Sequence, residues 1–248
     1  MHLTTAALFL TAHAHGEHGA VVRLLTESDG LIAAYVHGGR SRKGKALLIA
    51  GNLLSARLER RAEGQLMRAA LELETSRAAL ALDPLRLAMA EWLTMLIANC
   101  LPEGEAFVPV YESALAMFDL LDTEANAALL GKALAQFELM LLAALGFRLD
   151  LETCAATGAT GGEADLAFVS PRTGRAVGRV AGTPYEGRLF PLPAFLIDMA
   201  EAPPARTDIE AALAITRHFI RRDALPAHRA DRSLAARDRV DARLAKGF

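Results

Sequence analysis

The sequence has little cysteine, few aromatic residues and no long uninterrupted hydrophobic run. Its 248 residues include two cysteines, Cys100 and Cys154, which are too few for a disulfide framework or a four-thiolate zinc site. The most apolar stretch, residues 129–147, is interrupted by Lys132 and Glu138, so a membrane span is not expected. The N-terminus also lacks the basic segment that opens a signal peptide. These absences favour a reducing, cytoplasmic setting.

What the chain does have is a globular composition and an uneven distribution of charge. Hydrophobic residues make up 52% and charged residues 23% of the chain, which excludes wholesale disorder. The net charge is −2, but residues 1–68 hold 9 basic and 5 acidic side chains (+4), residues 69–210 hold 9 and 20 (−11), and residues 211–248 hold 9 and 4 (+5). Two basic ends around an acidic middle can bind polyanions locally although the total charge is near zero.

The first 75 residues show the period-two alternation of half-buried strands. In residues 54–60, Leu54, Ala56 and Leu58 point to one face and the polar residues between them point to the other. The turn at residues 28–30, Ser-Asp-Gly, lies between two apolar runs and predicts a hairpin. About five strands are predicted, over residues 6–13, 21–26, 31–36, 54–60 and 67–74. A five-stranded OB barrel closes such a sheet, and an SH3-like barrel fits the spacing nearly as well.

From about Leu80 onwards, apolar residues recur at spacings of three and four, which is typical of helices that bury one face. Two such stripes occupy residues 107–121 and 130–145. Three prolines are predicted to mark helix starts: Pro84, Pro102 and Pro109. A hairpin is predicted over residues 167–177, and a last helix over residues 208–222 before an arginine-rich tail.

The segment 39–45, Gly-Arg-Ser-Arg-Lys-Gly-Lys, matches the spacing of a phosphate-binding P-loop. A P-loop also needs a serine or threonine after the lysine to hold Mg²⁺, and Ala46 stands there instead. No α/β crossover pattern follows the segment either. We therefore interpret it as a basic, glycine-flanked loop, and a nucleotide-hydrolysing enzyme that uses Lys45 is the alternative.

Basic residues are concentrated in this loop and just after it, because residues 37–68 hold eight basic and two acidic side chains. On a small barrel such cations could line one groove and neutralise phosphates; a solvated, arginine-biased surface is the alternative interpretation. Tyr35 and Trp92 are the only aromatic residues between residues 10 and 100, so backbone charge is expected to dominate over base stacking. The candidate DNA contacts are Arg40, Arg42, Lys43, Lys45, Arg57, Arg60, Arg61 and Arg68.

Two further patterns concern metal binding and catalysis. His13, His15 and His18 form an H-x-H-x-x-H pattern that suits a metal site or, equally, a polar turn between strands. No G-x-S-x-G elbow and no useful Cys–His spacing indicates nucleophilic catalysis. The chain is therefore predicted not to be an enzyme.

Two pairs of residues are candidates for binding a partner protein. Tyr111 and Phe118 lie seven residues apart on one helical stripe, where core packing is the default interpretation and a peptide groove is the alternative. Arg217 and Arg221 lie one turn apart on the last helix and could pair with an acidic peptide or with DNA, or form a solvated face. A protein-only adaptor that docks through the acidic helices is a third possibility for the whole chain.

Several short motifs extend over most of the chain in a characteristic order and spacing. They are His15-Gly16-Glu17, Leu25-Thr26 with Gly30, Gly38-Gly39-Arg40-Ser41-Arg42, Gly51-Asn52, residues 137–151, Cys154-Ala155-Ala156-Thr157-Gly158, residues 169–177 and residues 192–196. Each motif alone is weak. Together they resemble the RecO family of bacterial recombination mediators, in particular its alphaproteobacterial branch.

The resemblance implies an α+β multidomain protein with three parts. These are an N-terminal five-stranded OB barrel (residues 1–78), an α-helical domain (residues 79–248) and a small inserted β-hairpin module (residues 154–190). It implies a mediator of the RecF pathway that binds single- and double-stranded DNA and anneals complementary strands without ATP. With RecR, such a protein helps to load recombinase on DNA coated by single-strand-binding protein, whose C-terminal tail is a further implied partner. It implies no membrane association and a nucleoid-associated, cytoplasmic location.

The sequence departs from the family pattern at a zinc module. Many members carry two C-x-x-C pairs, whereas here Cys154 keeps the first position and Thr157 stands at the second. No cysteine lies near residues 177–181, where the other pair would fall. One thiolate cannot form a structural zinc site, so neither metal nor cofactor is predicted. Packing is expected to hold the hairpin instead, through Phe168, Tyr185 and Phe190.

Overall fold

The computed structural model describes residues 2–60, 62, 64–160, 164–197 and 204–247. The chain forms two compact units. Unit 1 contains Met1–Thr123 together with His228–Arg243, and unit 2 contains Glu124–Ala227 together with Leu244–Phe248. Unit 1 therefore combines two segments that are far apart in the chain.

Five strands of unit 1 form a closed barrel. They are β1 (His2–His15), β2 (Gly19–Thr26), β3 (Gly30–Val36), β4 (Leu53–Glu59) and β5 (Met67–Thr75). Around the barrel the order is β1-β2-β3-β5-β4, and all neighbours are antiparallel except β3 and β5, which are parallel. The barrel is OB-like, which confirms the five predicted strands and decides against the SH3-like alternative.

The barrel core consists of the side chains that alternate inwards along each strand. Phe9 of β1, Leu24 of β2 and Leu58 of β4 are all buried in it. Because the side-chain period of a strand is two, the residues between them face outward. Leu47 and Leu48, at the end of the short helix α1 (Arg42–Leu47), pack against the same core. The basic segment between β3 and β4 is thereby fixed to the barrel.

Ala98 and Glu103 cover the outer face of the barrel at Arg23 of β2. This guanidinium donates hydrogen bonds to the backbone carbonyl of Ala98 and to Oε1 of Glu103, the latter at 2.6 Å. Ala98 belongs to helix α2 (Pro84–Cys100). Tyr35 also faces outward, on β3, and is half-buried, as Arg23 is.

Helices α2 and α3 (Val108–Thr123) confirm the predicted change from strand to helical periodicity. Pro84 is the first residue of α2, and the side chain of Asp83 accepts two backbone N–H hydrogen bonds as its N-cap. Pro109 lies in the first turn of α3, as predicted. The prediction for Pro102 is wrong: it follows the end of α2, because proline lacks the N–H that a continuing helix would need.

Unit 2 is built on helices α4 (Ala127–Ala144) and α6 (Arg206–Phe219), which pack against each other. They approach closely at Gly131 of α4, where a Cβ would lie 2.6 Å from Cγ2 of Ile209. Among the described helices, α4 alone is long and apolar enough to cross a membrane. Half of that stretch is buried inside the protein, and core helices commonly have the same length and composition.

A separate three-stranded sheet lies in unit 2. Strand β6 (Leu166–Val169) pairs antiparallel with β7 (Ala176–Gly178) and with β8 (Phe190–Pro191). The predicted hairpin is therefore confirmed, and β8 is an additional strand. A single turn of helix, α5 (Arg179–Gly182), follows β7.

The arginine-rich tail is also helical. Helix α7 (Ala227–Gly247) follows a π-helical turn (Ile220–Ala224) at the end of α6. Arg237 of α7 is fully buried, binds Asp241, and lies with its guanidinium carbon 6.0 Å from the ring centroid of Trp92. The sequence does not predict this helix, because its arginines are interspersed with the small and apolar residues that it buries and obscure their helical spacing.

Candidate nucleic-acid interface

The basic segment after β3 folds back on itself before α1 begins. The hydroxyl of Ser41 caps α1 by accepting a hydrogen bond from the backbone N–H of Gly44 at 3.0 Å. A Cβ at Gly44 would lie 2.3 Å from the carbonyl oxygen of Gly38, and one at Gly39 would lie 2.9 Å from Cβ of Ala20. The glycines of the P-loop-like spacing therefore allow close backbone packing beside a barrel.

Arg40 links this segment to the turn between β1 and β2. Its Nη1 donates hydrogen bonds to the backbone carbonyls of Gly16 and Glu17, each at 3.1 Å. Its backbone N–H donates to the carbonyl of His18 at 3.3 Å. The side chain is exposed, but it already binds two protein oxygens. Arg40 therefore holds the loop in shape, in addition to any contact with a phosphate.

Arg42, Lys43 and Lys45 project from α1 and are exposed. None of the three forms an ion pair within the part of the chain that the structure describes. Cations of this kind are available to phosphates, and each phosphate that they neutralise releases condensed counterions. We term these three side chains the α1 cations.

Three of the other predicted DNA contacts lie on or next to strands β4 and β5. Arg57 on β4 and Arg68 on β5 are exposed on the outer face, but Arg68 lies directly opposite Glu59 in the register. Arg60 is half-buried and interacts with another group of the protein. Arg61 lies outside the described residues. The described contacts are thus spread over the loop before α1, α1 itself, the end of β4 and a strand surface that also carries Glu59, an arrangement that a count of charges along the sequence does not show.

Three parts of the barrel connections meet at one end: the β1–β2 turn, the segment after β3 and residues 64–66 before β5. The register requires this, because the end of β3 pairs with the starts of both β2 and β5. An open groove of about 650 Å³ lies among them. It is lined by residues 15–19, Tyr35, His37, Gln65, Leu66 and Arg68. We term it the turn groove, and in OB barrels the loops between strands 1–2 and 4–5 bind oligonucleotides.

Tyr35 is held in a fixed position in the turn groove. Its ring lies directly over Gly19, where a Cβ would be 2.3 Å from Cε2 of the tyrosine. The ring also meets the imidazole of His15 edge to face, with centroids 5.8 Å apart and planes at 76°, which is a favourable arrangement for aromatic rings. The backbone of Gly19 and the imidazole of His15 therefore orient the tyrosine ring.

The histidines of the H-x-H-x-x-H pattern are exposed around the β1–β2 turn. Within the described residues, no three histidine, cysteine, aspartate or glutamate side chains are grouped so that they could hold a metal ion. The polar-turn interpretation fits this arrangement, and His15 in addition lines the turn groove. The sequence does not predict this groove, because His15, Tyr35 and Arg68 meet only through strand pairing. The outward position of Tyr35 in the β3 alternation is the one local signal for it.

The aromatic pair that was a candidate for partner binding lies inside unit 1. Tyr111 is 6% exposed and Phe118 is fully buried. Burial, together with the charges of Glu27 and Glu74, raises the pKa of the Tyr111 hydroxyl. The Phe118 ring packs on Gly51, where a Cβ would lie 2.1 Å from the ring and where φ is +82°. These contacts favour core packing over a peptide groove for both rings.

The arginine pair lies in unit 2. Arg217 is half-buried on α6 and Arg221 is exposed in the π-helical turn after it, and each already interacts with another group of the protein. Beside them, Arg222 donates a hydrogen bond to the carbonyl of Pro171 at 2.6 Å and lies over the ring of Phe219. Arg222 also pairs with Asp223 at 2.8 Å, so the end of α6 carries three arginines and one carboxylate and stabilises the β6–β7 loop.

A network of hydrogen bonds surrounds the single cysteine of the hairpin module. Cys154 is 1% exposed, and its Sγ accepts a hydrogen bond from the backbone N–H of Gly178 at 3.2 Å. Hydrogen bonds from Thr157 and Gly178 lower the pKa of the Cys154 thiol to about 7. Thr157 thus favours the thiolate from the position where the family pattern has a second cysteine.

Two of the three aromatic residues expected to hold the hairpin do pack in it. Phe168 is buried, and a Cβ at Gly182 would lie 2.4 Å from its ring. The ring of Phe190 contacts that of His218, with centroids 5.3 Å apart. The expectation for Tyr185 is wrong: it is 57% exposed, because it lies in a short 3₁₀ helix that buries none of its side chains.

Replacing Thr157 with valine is expected to raise the pKa of Cys154 from about 7 towards an ordinary thiol value. Valine has no hydroxyl, so it cannot stabilise the thiolate by hydrogen bonding as Thr157 does. Ultraviolet absorbance of the thiolate, followed against pH, measures this change. Cys100 does not interfere, because burial raises its pKa to about 12. Since folding depresses the Cys154 pKa, the associated stability is present at high pH and is lost as pH falls through about 7. Thr160→Val at an exposed position is the control, and an unchanged midpoint in Thr157→Val would contradict the assignment.

Comparison with known proteins identifies relatives along most of the chain. A family model described as "Recombination protein O N terminal" matches residues 1–75, and one described as "Recombination protein O C terminal" matches residues 81–232. The chain is 42% identical over 223 residues to the DNA repair protein RecO of Rhodospirillum centenum, which covers 90% of this chain and 86% of that protein. It is 44% identical over 215 residues to the DNA repair protein RecO of Phenylobacterium zucineum, which covers 86% of each.

Proposed function

Because the chain belongs to the RecO family of DNA repair proteins, we propose that it is a recombination mediator that binds single- and double-stranded DNA and anneals complementary strands without ATP. In this proposal it acts in the RecF pathway and, with RecR, helps to load recombinase on DNA coated by single-strand-binding protein. It works in the cytoplasm at the nucleoid, and it is not an enzyme.

The observation that carries the proposal is the set of α1 cations on an OB-like barrel. These three side chains are exposed, lie on one short helix and are free of ion pairs within the described residues. Two negatively charged strands repel each other, and a protein that neutralises phosphates on both lowers that repulsion. Annealing then needs no chemical step, since base pairing supplies the driving force.

The geometry of the glycine-flanked segment supports action without nucleotide. Gly39 and Gly44 pack against neighbouring backbone and Ala20, and the segment leads into a six-residue helix beside a barrel. A P-loop instead lies between a strand and a helix of an α/β sheet, with a hydroxyl side chain for Mg²⁺. Ala46 supplies no such hydroxyl. The alternative of a nucleotide hydrolase therefore has less support.

For the protein partners, we propose that unit 2 binds the acidic tail of single-strand-binding protein at the cationic end of α6. Opposite charge supports this choice, because Arg217, Arg221 and Arg222 lie within two turns and Asp223, which pairs with Arg222, is the one carboxylate of that turn. Calorimetric titration with the tail peptide tests it, and the absence of heat would contradict it. RecR is proposed from family membership alone.

Binding and annealing are expected in the absence of any nucleotide, and binding should weaken steeply with salt. The slope of log affinity against log salt is expected to be roughly −0.7 for each single-strand phosphate contacted. An electrophoretic shift series with labelled oligonucleotides measures binding, and fluorescence quenching between complementary strands measures annealing. Salt-independent binding, or ATP hydrolysis that disappears in Lys45→Ala, would contradict the proposal.

A further inference from the structure

The helix that carries the α1 cations is too short to be stable on its own. It has six residues, Arg42–Leu47, whereas isolated helices shorter than about 12–15 residues are marginal in water. Gly44 lies in its middle, and glycine is a poor helix former. Arg42 and Lys43 stand in its first turn, where the helix dipole disfavours positive charge. The direction in which the α1 cations point is therefore set by contacts that other residues make with the two ends of α1.

We propose that Asn52 is the positioning residue of the α1 cations: its side-chain amide fixes the C-terminal end of α1 on the barrel and so sets the direction in which these cations meet phosphates. This inference rests on the proposed DNA-binding function and adds to it a residue that acts only through α1. Asn52 is fully buried, so it does not touch DNA itself. Ser41 caps the opposite end of the same helix.

The side-chain amide of Asn52 makes three hydrogen bonds. Its Nδ2 donates to the backbone carbonyl of Ala46 at 3.2 Å and to that of Leu47 at 3.0 Å. Its Oδ1 accepts a hydrogen bond from the backbone N–H of Arg77 at 2.8 Å. The last carbonyls of a helix have no partner within the helix, and Asn52 supplies a donor to two of them. Because one amide group binds two successive carbonyls, it fixes the rotation of α1 about its axis as well as its position.

Burial means that water cannot take over these hydrogen bonds. Removing one partner of a buried hydrogen bond costs the desolvation of the group that remains. Asn52 is itself held in place, because its backbone carbonyl accepts a hydrogen bond from the N–H of Phe9 on β1 at 2.9 Å. A leucine at this position would leave two carbonyls of α1 and the N–H of Arg77 without their present partner. An amide side chain is therefore needed to hold α1 here.

Arg77 connects Asn52 to helix α3. Its side chain is buried, and its guanidinium binds the carboxylates of Asp119 and Asp122, both on α3. These two anionic partners fix Arg77, and with it the backbone N–H that Oδ1 of Asn52 accepts. A series of polar contacts thus leads from α3 through Arg77 and Asn52 to α1. The α1 cations are thereby fixed to the helical part of unit 1 as well as to the barrel.

A fixed α1 favours DNA binding for an entropic reason. Cations that already point in one direction lose less conformational freedom on meeting phosphates than cations on a loose segment do. Without the amide of Asn52, the three charges stay on the chain but meet fewer phosphates at the same time. The slope of log affinity against log salt measures the number of phosphates contacted. This slope therefore reports the positioning of α1, which a loss of stability alone does not change.

The test replaces Asn52 with leucine, which is similar in size and leaves the net charge unchanged. Binding of a labelled oligonucleotide should weaken roughly tenfold at low salt, and the slope should fall by roughly 0.7–1.4, the equivalent of one or two single-strand phosphates. Trypsin, which cleaves after lysine and arginine, should also cut within α1 faster than in the unchanged protein, and mass spectrometry of the fragments locates the cuts. Leu93→Ala is the matched control, because it truncates a fully buried side chain of α2 and leaves the hydrogen bonds of Asn52 intact.

Loss of stability and loss of positioning give different results in this comparison. Both variants should unfold at lower urea concentration than the unchanged protein, and binding is measured where circular dichroism shows each of them folded. Only Asn52→Leu should flatten the salt slope and expose α1 to trypsin. Asn52→Ser, whose hydroxyl can donate to one carbonyl, should show a smaller effect in the same direction, and it replaces Asn52→Leu if that variant does not fold. A slope and a cleavage pattern equal to those of Leu93→Ala would overturn the inference.

Reversal of the α1 cations to glutamate separates this inference from the proposed function. If the reversal weakens DNA binding but the Asn52 variants keep the original slope, the inference fails and the proposed function stands. If the reversal has no effect, DNA binds on another surface, and the inference about Asn52 fails together with the assignment to α1.

Discussion

Reversing the three α1 cations, in the variant Arg42→Glu, Lys43→Glu, Lys45→Glu, should weaken DNA binding on the order of a hundredfold at low salt. The salt dependence should also flatten, by about two units of slope for single strands, because three phosphate contacts of roughly 0.7 each are lost. Fluorescence anisotropy with a labelled oligonucleotide across a salt series measures both quantities. Duplex binding should fall in parallel, since these side chains meet phosphates and not bases.

The control for this variant changes the same amount of charge elsewhere. Arg148→Glu, Arg188→Glu, Lys246→Glu alters three exposed cations of unit 2, so total charge effects appear in both variants. Because the α1 cations are exposed, their reversal should change the free energy of unfolding by no more than about 0.5 kcal/mol per site. If affinity and slope remain at their original values, DNA binds on another surface and the assignment to α1 is wrong.

Replacing Phe118 with alanine should lower the free energy of unfolding by about 3–5 kcal/mol. The ring is fully buried, and it fills the space above Gly51, whose φ of +82° and close contact both exclude a side chain. Truncation therefore leaves a cavity that the backbone at Gly51 cannot close, so the cost includes lost contacts as well as lost burial. Equilibrium unfolding in urea, followed by circular dichroism, measures the change.

Glu112→Ala serves as the control, because Glu112 is an exposed residue of the same helix. Its effect should stay within about 0.5 kcal/mol. If Phe118→Ala cost less than about 1 kcal/mol, the ring would not be a core residue. The interpretation of Phe118 as part of a peptide groove would then regain support.

The strands can be predicted from the sequence because each one buries a single face. Leu24 of β2 is in the core and Arg23 beside it reaches Ala98, so burial and polarity alternate in step with the side chains. Helix α3 follows its predicted stripe for the same reason, with Phe118 on the buried side. In each case one local period reports one buried face.

The turn groove cannot be predicted in this way. Tyr35 and Arg68 become neighbours because β3 and β5 pair in parallel, and no local period indicates which strands pair. The contacts of the Tyr35 ring with Gly19 and His15 likewise depend on strand pairing and are not indicated by the low aromatic content of the sequence. Helix α7 was equally hidden, since a buried arginine such as Arg237 looks like a surface residue until its partner Asp241 is known.

The composition of unit 1 has a consequence for the order in which the protein can fold during synthesis. His228–Arg243 belong to the same unit as Met1–Thr123, but they leave the ribosome about 100 residues later. Until then, Trp92 lacks Arg237, and Asn99 lacks its hydrogen bond to Ser233. The barrel can close early from neighbouring strands, whereas the helical side of unit 1 must wait for the end of the chain. A nascent chain stalled before α7 should therefore hold a finished barrel together with helices of unit 1 whose contacts with α7 are not yet made.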